Sequence, residues 1–153
     1  MTVSERIKEL GLELPPAPPP AGLYRPILVV DNFLYVSGQG PVLKDGSLYK
    51  GRVGHNLDLE GGKAGARHVG LTMLSTIVTH FGEIDRIKRL VKTLGMVNCT
   101  ADFENHPLVI NGFSELMSDV LGPENGVGVR SAVGMMLPGG IAVEIEAMFE
   151  LHK

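Results

Sequence analysis

The order of apolar periods along the chain predicts an α+β sandwich, a mixed β-sheet with two helices packed on one face. Three observations carry this expectation. Two long runs repeat their apolar residues at spacings of three and four, and the runs around them are short and β-rich. The final run is two-faced: Val143, Ile145, Ala147, Phe149 and Leu151 share one side, Glu144, Glu146, Met148 and Glu150 the other. Such a strand gives one face to helices and leaves the other for water or a partner subunit.

Ser4 to Leu10 reads as a short helix, and the proline-rich stretch Leu14 to Gly22 as an extended arm, since proline removes a donor and fixes φ. Residues 1–22 are therefore an N-terminal helix and arm, residues 23–153 one domain. The arm is expected to be a packed lead-in to the first strand rather than a ligand for a proline-binding module. Tyr24 to Val30 and Phe33 to Ser37 form a hairpin across Asp31-Asn32, residues suited to the positive φ of a tight turn. Gly38-Gln39-Gly40-Pro41 breaks the second strand, and Leu48 to Val53 reads as a short extended segment, an edge strand at most.

Asp58 is placed as the N-cap of a long helix carrying Ala66, Val69, Met73, Ile77 and Phe81 and closed by Gly82, with a later start near Ala64 as the alternative. Its glycines, Gly61, Gly62, Gly65 and Gly70, suit a close approach to the sheet. Ile87 to Val97 is assigned to a strand. A second amphipathic helix begins near Pro107, carries Ile110, Phe113, Leu116, Met117 and Val120, and ends at Gly122-Pro123. Val127 to Met135 and Ile141 to Leu151 then read as a closing hairpin around Leu137-Pro138-Gly139-Gly140.

A formal net charge of −3 and a pI near 5.9 give no global attraction to phosphate backbones or anionic membranes. No apolar run approaches the roughly 20 residues needed to span a bilayer, and Met1 to Arg6 lacks the layout of a signal peptide, so a cytoplasmic protein is expected. Arg86, Lys88, Arg89 and Lys92 have no interleaved aromatic residues, which favours a solvated face over a nucleic-acid patch. Cys99, the only cysteine, reads as a small buried hydrophobe.

No metal site is expected, because His55, His68, His80, His106 and His152 lack paired-ligand spacing. Ser37-Gly38-Gln39-Gly40 lacks the third glycine of a dinucleotide fingerprint and the Lys-Ser/Thr of a P-loop. What stands out is Arg130, an arginine inside an otherwise strand-like run. It either pairs with a structural carboxylate such as Glu144 or Glu146, or points at an anionic ligand that its fork can grip. Glu144 and Glu146, sharing a strand face, are either an acid/base pair or a solvated face.

Several features in a fixed order then carry a resemblance. They are Tyr24 ahead of Ser37-Gly38-Gln39, Asp102-Phe103 leading to Asn111, Arg130-Ser131, Leu137-Pro138 and Val143-Glu144-Ile145-Glu146-Ala147. From Tyr24 to Leu151 the chain resembles the YjgF-type (Rid) family of enamine/imine deaminases, as a divergent branch. Ala132 stands where active members commonly carry cysteine, and the connection from Arg130 to Pro138 is short enough to raise the question of strand register. The resemblance implies a chorismate-mutase-like fold, a homotrimer whose sheets close into a barrel, and ligand clefts between subunits. It implies hydrolysis of 2-enamino and 2-imino acids to 2-keto acids and ammonia with no cofactor, although some members are described as ribonucleases or translation inhibitors. By the same resemblance Arg130 clamps the substrate carboxylate and Glu144 positions or activates water. Tyr24, Ser37 and Asn111 line the cleft, and backbone groups at Ala132 contact the imine nitrogen or the water. A non-catalytic trimer binding small carboxylates is the alternative.

Overall fold

The computed structural model describes all 153 residues. Helix α1 spans Val3–Glu9, and its start is fixed by a reciprocal capping box between Thr2 and Glu5. The proline arm follows without regular structure, but it is packed: Pro15 is buried, and its carbonyl accepts a hydrogen bond of 2.5 Å from Ser75 Oγ. Strands β1 (Ile27–Val30) and β2 (Phe33–Gln39) form the expected hairpin, in which Asp31 alone takes a positive φ, of 52°.

Helix α2, Leu59–Thr76, starts where Asp58 accepts from the Gly61 amide, so the earlier of the two expected starts is the real one. It continues as one π turn over Ile77–Phe81 and stops at Gly82, whose φ of 79° suits glycine. Helix α3 spans His106–Leu121 between Pro107 in its first turn and Gly122 at its end. Strands β3 (Ile87–Val97), β4 (Val129–Gly134) and β5 (Val143–Leu151) complete a five-stranded mixed sheet in the order β1-β2-β5-β3-β4.

Two expectations are corrected here. The last two strands are not a hairpin: β4 pairs in parallel with β3, and β5 runs antiparallel between β2 and β3. The cause is α3, which carries the chain back along the sheet so that β4 leaves in the direction of β3. Leu48 to Val53 makes only isolated bridges, from Leu48 to Val42, Lys50 to Ile141 and Val53 to both Leu57 and Cys99. Of the α2 glycines, Gly70 serves the second helix, where a Cβ would lie 2.6 Å from Leu116, while Gly62 and Gly65 meet the Leu48 to Val53 segment, at 2.7 Å from Val53 and 3.2 Å from Tyr49.

α2 and α3 lie together on one face, over a core that includes Phe113, Phe149, Met73, Ile110, Leu116 and Ile145, all fully buried. The opposite face of the sheet has no helix. Across it, register aligns one row of side chains from all five strands: Leu28, Tyr35, Met148, Lys92 and Val129. Leu28, Tyr35 and Val129 are 49%, 43% and 67% exposed, more apolar surface than a solvated sheet face usually shows.

Candidate functional site

Arg130 lies on β4, the edge strand. Its register partner on β3 is Thr93, which in turn opposes Ala147 on β5, and both of these are buried beneath the helices. The arginine therefore points to the helix side. There Nη1 donates to Ser114 Oγ at 3.0 Å and Nη2 to the Pro107 carbonyl at 3.1 Å. The structural ion pair weighed from the sequence does not exist: no carboxylate lies within salt-bridge distance of Arg130, and neither Glu144 nor Glu146 is its partner. Neutral partners hold the guanidinium still while leaving its charge, and most of its five donors, for an anion.

Asn111 falls between Pro107 and Ser114 at spacings of four and three, on the stripe of α3 that Arg130 crosses. Ala132, two residues along β4, opposes Gly95 and so shares the helix side. Strand β4 pairs with β3 from Val129 to Gly134 without a shift, which keeps Arg130 and Ala132 on the same side. Arg130, Asn111 and Ala132 thus form one group at the β4 edge.

Glu144 belongs to another group. It opposes Met96 on β3, an odd number of residues from Thr93, and so points to the helix-free face, two strands in from the β4 edge. It is half-buried, and burial first, then the neighbouring Glu146, raises its carboxyl above the usual range. The carboxyl rests on Gly38, inside a β-bulge where the pairing of β2 with β5 shifts between Val36 and Gln39. The buried Gln39 side chain stabilises that bulge: Nε2 donates to the Ser37 carbonyl at 3.0 Å and Oε1 accepts from Thr76 Oγ1 at 2.7 Å. Ser37 Oγ donates to the Arg25 carbonyl at 2.6 Å, and the hydroxyl of the adjacent Tyr24 accepts from the Ala21 amide at 3.0 Å. Ser37 and Glu144 are the second group, with Ser37 lining a groove of about 660 Å³ together with Arg25, Leu28, Tyr35, Lys92 and Glu146, while the Tyr24 side chain turns back toward Ala21.

One arrangement escaped the sequence reading. Cys99 is partly buried rather than a plain core residue, and its Sγ lies 3.3 Å from His106 Nε2. The His106 ring meets the Phe103 edge at a centroid distance of 5.3 Å, and a Cβ at Gly134 would come within 3.0 Å of both Cys99 and His106. Burial raises the thiol's pKa. Their seven-residue separation matches no ligand spacing, so nothing in the sequence singled them out. The basic residues around β3 are mostly paired, Lys88 and Arg89 with Glu150 at 3.3 and 3.1 Å and Arg86 with Glu83 at 3.4 Å. No three His, Cys, Asp or Glu side chains converge as a metal set would, and no helix is long and apolar enough to cross a membrane.

Residues 4–137 match the family model described as "YjgF/chorismate mutase-like, putative endoribonuclease". Protein TCP17 of Trypanosoma cruzi is 38% identical over 152 residues, 99% of this chain and 95% of that one. The crystal structure of Atu1372 from Agrobacterium tumefaciens, a protein of unknown function, superposes with a TM-score of 0.85 at 37% identity, covering 98% of this chain and 94% of that one. A protein from Shewanella oneidensis described as a "putative endoribonuclease" superposes with a TM-score of 0.92 at 29% identity, covering 99% and 100%.

Proposed function

Since the chain belongs to the YjgF/chorismate mutase-like family, we propose that it hydrolyses reactive 2-enamino and 2-imino acids to 2-keto acids and ammonia, at clefts between the subunits of a homotrimer. The observation that carries this reading is the Arg130 guanidinium, held by two neutral partners and paired with no carboxylate. A small carboxylate fits that fork. Glu144 supports the other half of the chemistry, because a carboxyl that burial makes readier to hold a proton can both take and return one.

In this reading Arg130 anchors the substrate carboxylate, with Asn111 and the backbone at Ala132 beside it. Tyr24 and Ser37 line the opposing wall. Glu144 takes a proton from water as its oxygen bonds to the imine carbon and returns that proton to nitrogen, giving a tetrahedral carbinolamine. The carbinolamine's hydroxyl proton then passes by way of Glu144 to nitrogen as the C–N bond breaks, and ammonia and the keto acid leave. An imine is already electrophilic, so orientation and one proton-carrying group suffice, and the chain's own residues supply both. Arg130 and Glu144 lie on opposite faces of one sheet, so a cleft containing both needs the arginine edge of one copy against the carboxylate face of another. The exposed apolar row of Leu28, Tyr35 and Val129 is a suitable surface for that contact.

The test is keto-acid formation from freshly generated 2-iminopropanoate and 2-iminobutanoate. Acceleration by the wild type and its loss in Arg130→Ala support the reading, and full activity in Arg130→Ala refutes the mechanism. The second reading, a non-catalytic trimer that holds small carboxylates in the same cleft, is favoured by Ala132, which brings no proton-transferring group. It predicts thermal stabilisation by 2-keto acids without turnover.

A further inference from the structure

Gly38 has no conformational reason to be glycine. It is not among the residues with positive φ, so its backbone is open to any L-residue. What excludes a side chain is its neighbour. A Cβ built on Gly38 would stand 2.5 Å from Glu144 Oε2, 3.1 Å from Cδ and 3.3 Å from Cγ, and these are its three nearest atoms. The glutamate carboxyl occupies the volume that a side chain at residue 38 would fill.

The surrounding structure holds that space open. Gly38 sits in the β2 bulge, which displaces the strand locally, and Gln39 fixes the bulge from the core side through the Ser37 carbonyl and Thr76. We propose that Gly38 is a positioning residue, the seat that holds the Glu144 carboxyl against β2 at the depth from which it serves the cleft. This rests on the reading of Glu144 as the group that handles water.

A methyl group at residue 38 meets only the far end of a flexible side chain, so the fold tolerates it while the carboxyl turns out to solvent. Burial is the larger cause of the raised Glu144 pKa and Glu146 the smaller. Glu146 is also the charged group beside it on β5, since Met96 opposite on β3 and Gly38 on β2 carry none. Displacement removes the larger cause and lets the pKa fall toward 4.5.

The experiment compares wild type, Gly38→Ala and Gly40→Ala. The last adds the same methyl two residues away, against the movable Ile141 Cδ1 at 3.2 Å. Carbon-13 NMR follows the Glu144 carboxyl, assigned by Glu144→Gln, and the pH profile of imine hydrolysis is recorded in parallel. In Gly38→Ala the Glu144 titration moves down, the acid limb of the profile moves with it, and kcat falls on the order of tenfold with KM nearly unchanged. Gly40→Ala leaves the titration in place. An unchanged Glu144 titration in folded Gly38→Ala overturns the proposal. The NMR titration needs no turnover, so a wild type inactive on imines refutes the deaminase reading while the seat is still tested. If Gly38→Ala fails to fold, stability is measured in the Glu144→Ala background, where the methyl has nothing to meet. Folding restored there supports the seat, and unfolding in both backgrounds contradicts it.

Discussion

Arg130 is a charged residue whose fixed partners, Ser114 Oγ and the Pro107 carbonyl, are neutral. Because it is exposed, Arg130→Ala should change stability by no more than about 0.5 kcal/mol, yet lower kcat/KM by roughly 100-fold or more through the loss of two charge-assisted bonds. Arg130→Lys keeps the charge without the fork and should recover only part; thermal melts and steady-state kinetics check both variants. Glu144 makes a prediction about pH. Burial raises its pKa, so the folded chain holds this proton more tightly than the unfolded chain. That contribution is fully present below the unfolded value of 4.5 and is lost as pH rises through the higher folded value. Glu144→Gln should therefore melt above the wild type near neutral pH, the two curves converging below pH 4.5, while activity is lost. A lower melting temperature for the variant at neutral pH contradicts the assigned burial. Both residues were legible in the sequence as oddities in strands, and the carboxylate partner suggested for Arg130 was the natural guess from spacing. The guess failed because β3 lies between the two strands and the two side chains turn to opposite faces, a fact of register rather than of residue type.

At the scale of elements, the α2–α3 crossing is set by small residues. A Cβ at Gly112 would stand 2.1 Å from the Lys63 carbonyl oxygen, a backbone atom that cannot swing aside. Gly112→Ala should force the helices apart and destabilise the fold by about 1–3 kcal/mol, measured by urea denaturation; a change near zero would show that the crossing is looser than described. Helix ends were readable because each has a local chemical marker: Asp58, Gly82, Pro107 and Gly122 all sit where they were placed. The pairing of β4 was not readable. Val129 to Gly134 has the same composition whether it joins β3 in parallel or β5 in a hairpin, and the choice is made by where α3 returns the chain.

At the scale of the molecule, one sheet face has helices and the other has exposed Leu28, Tyr35 and Val129 around Lys92. The two-faced last strand announced that division in the sequence, whereas the separation of the site into two groups became visible only with the strand order. The assembled protein should have the mass of three 16.4 kDa chains by light scattering, and Tyr35→Asp should release folded, inactive monomers. Trimers that persist and remain active in that variant would place the interface elsewhere.

The most direct test of the central claim uses two inactive variants together. Arg130→Ala and Glu144→Gln, each without activity alone, are co-expressed with different tags, and trimers carrying both tags are isolated. If every cleft takes its arginine from one subunit and its carboxylate from the next, mixed trimers contain some intact clefts. Each trimer carrying both tags then has one intact cleft of three, so activity returns to about one third of the wild-type level. Mixed trimers that stay as inactive as their parents would contradict a cleft assembled from both faces of neighbouring sheets.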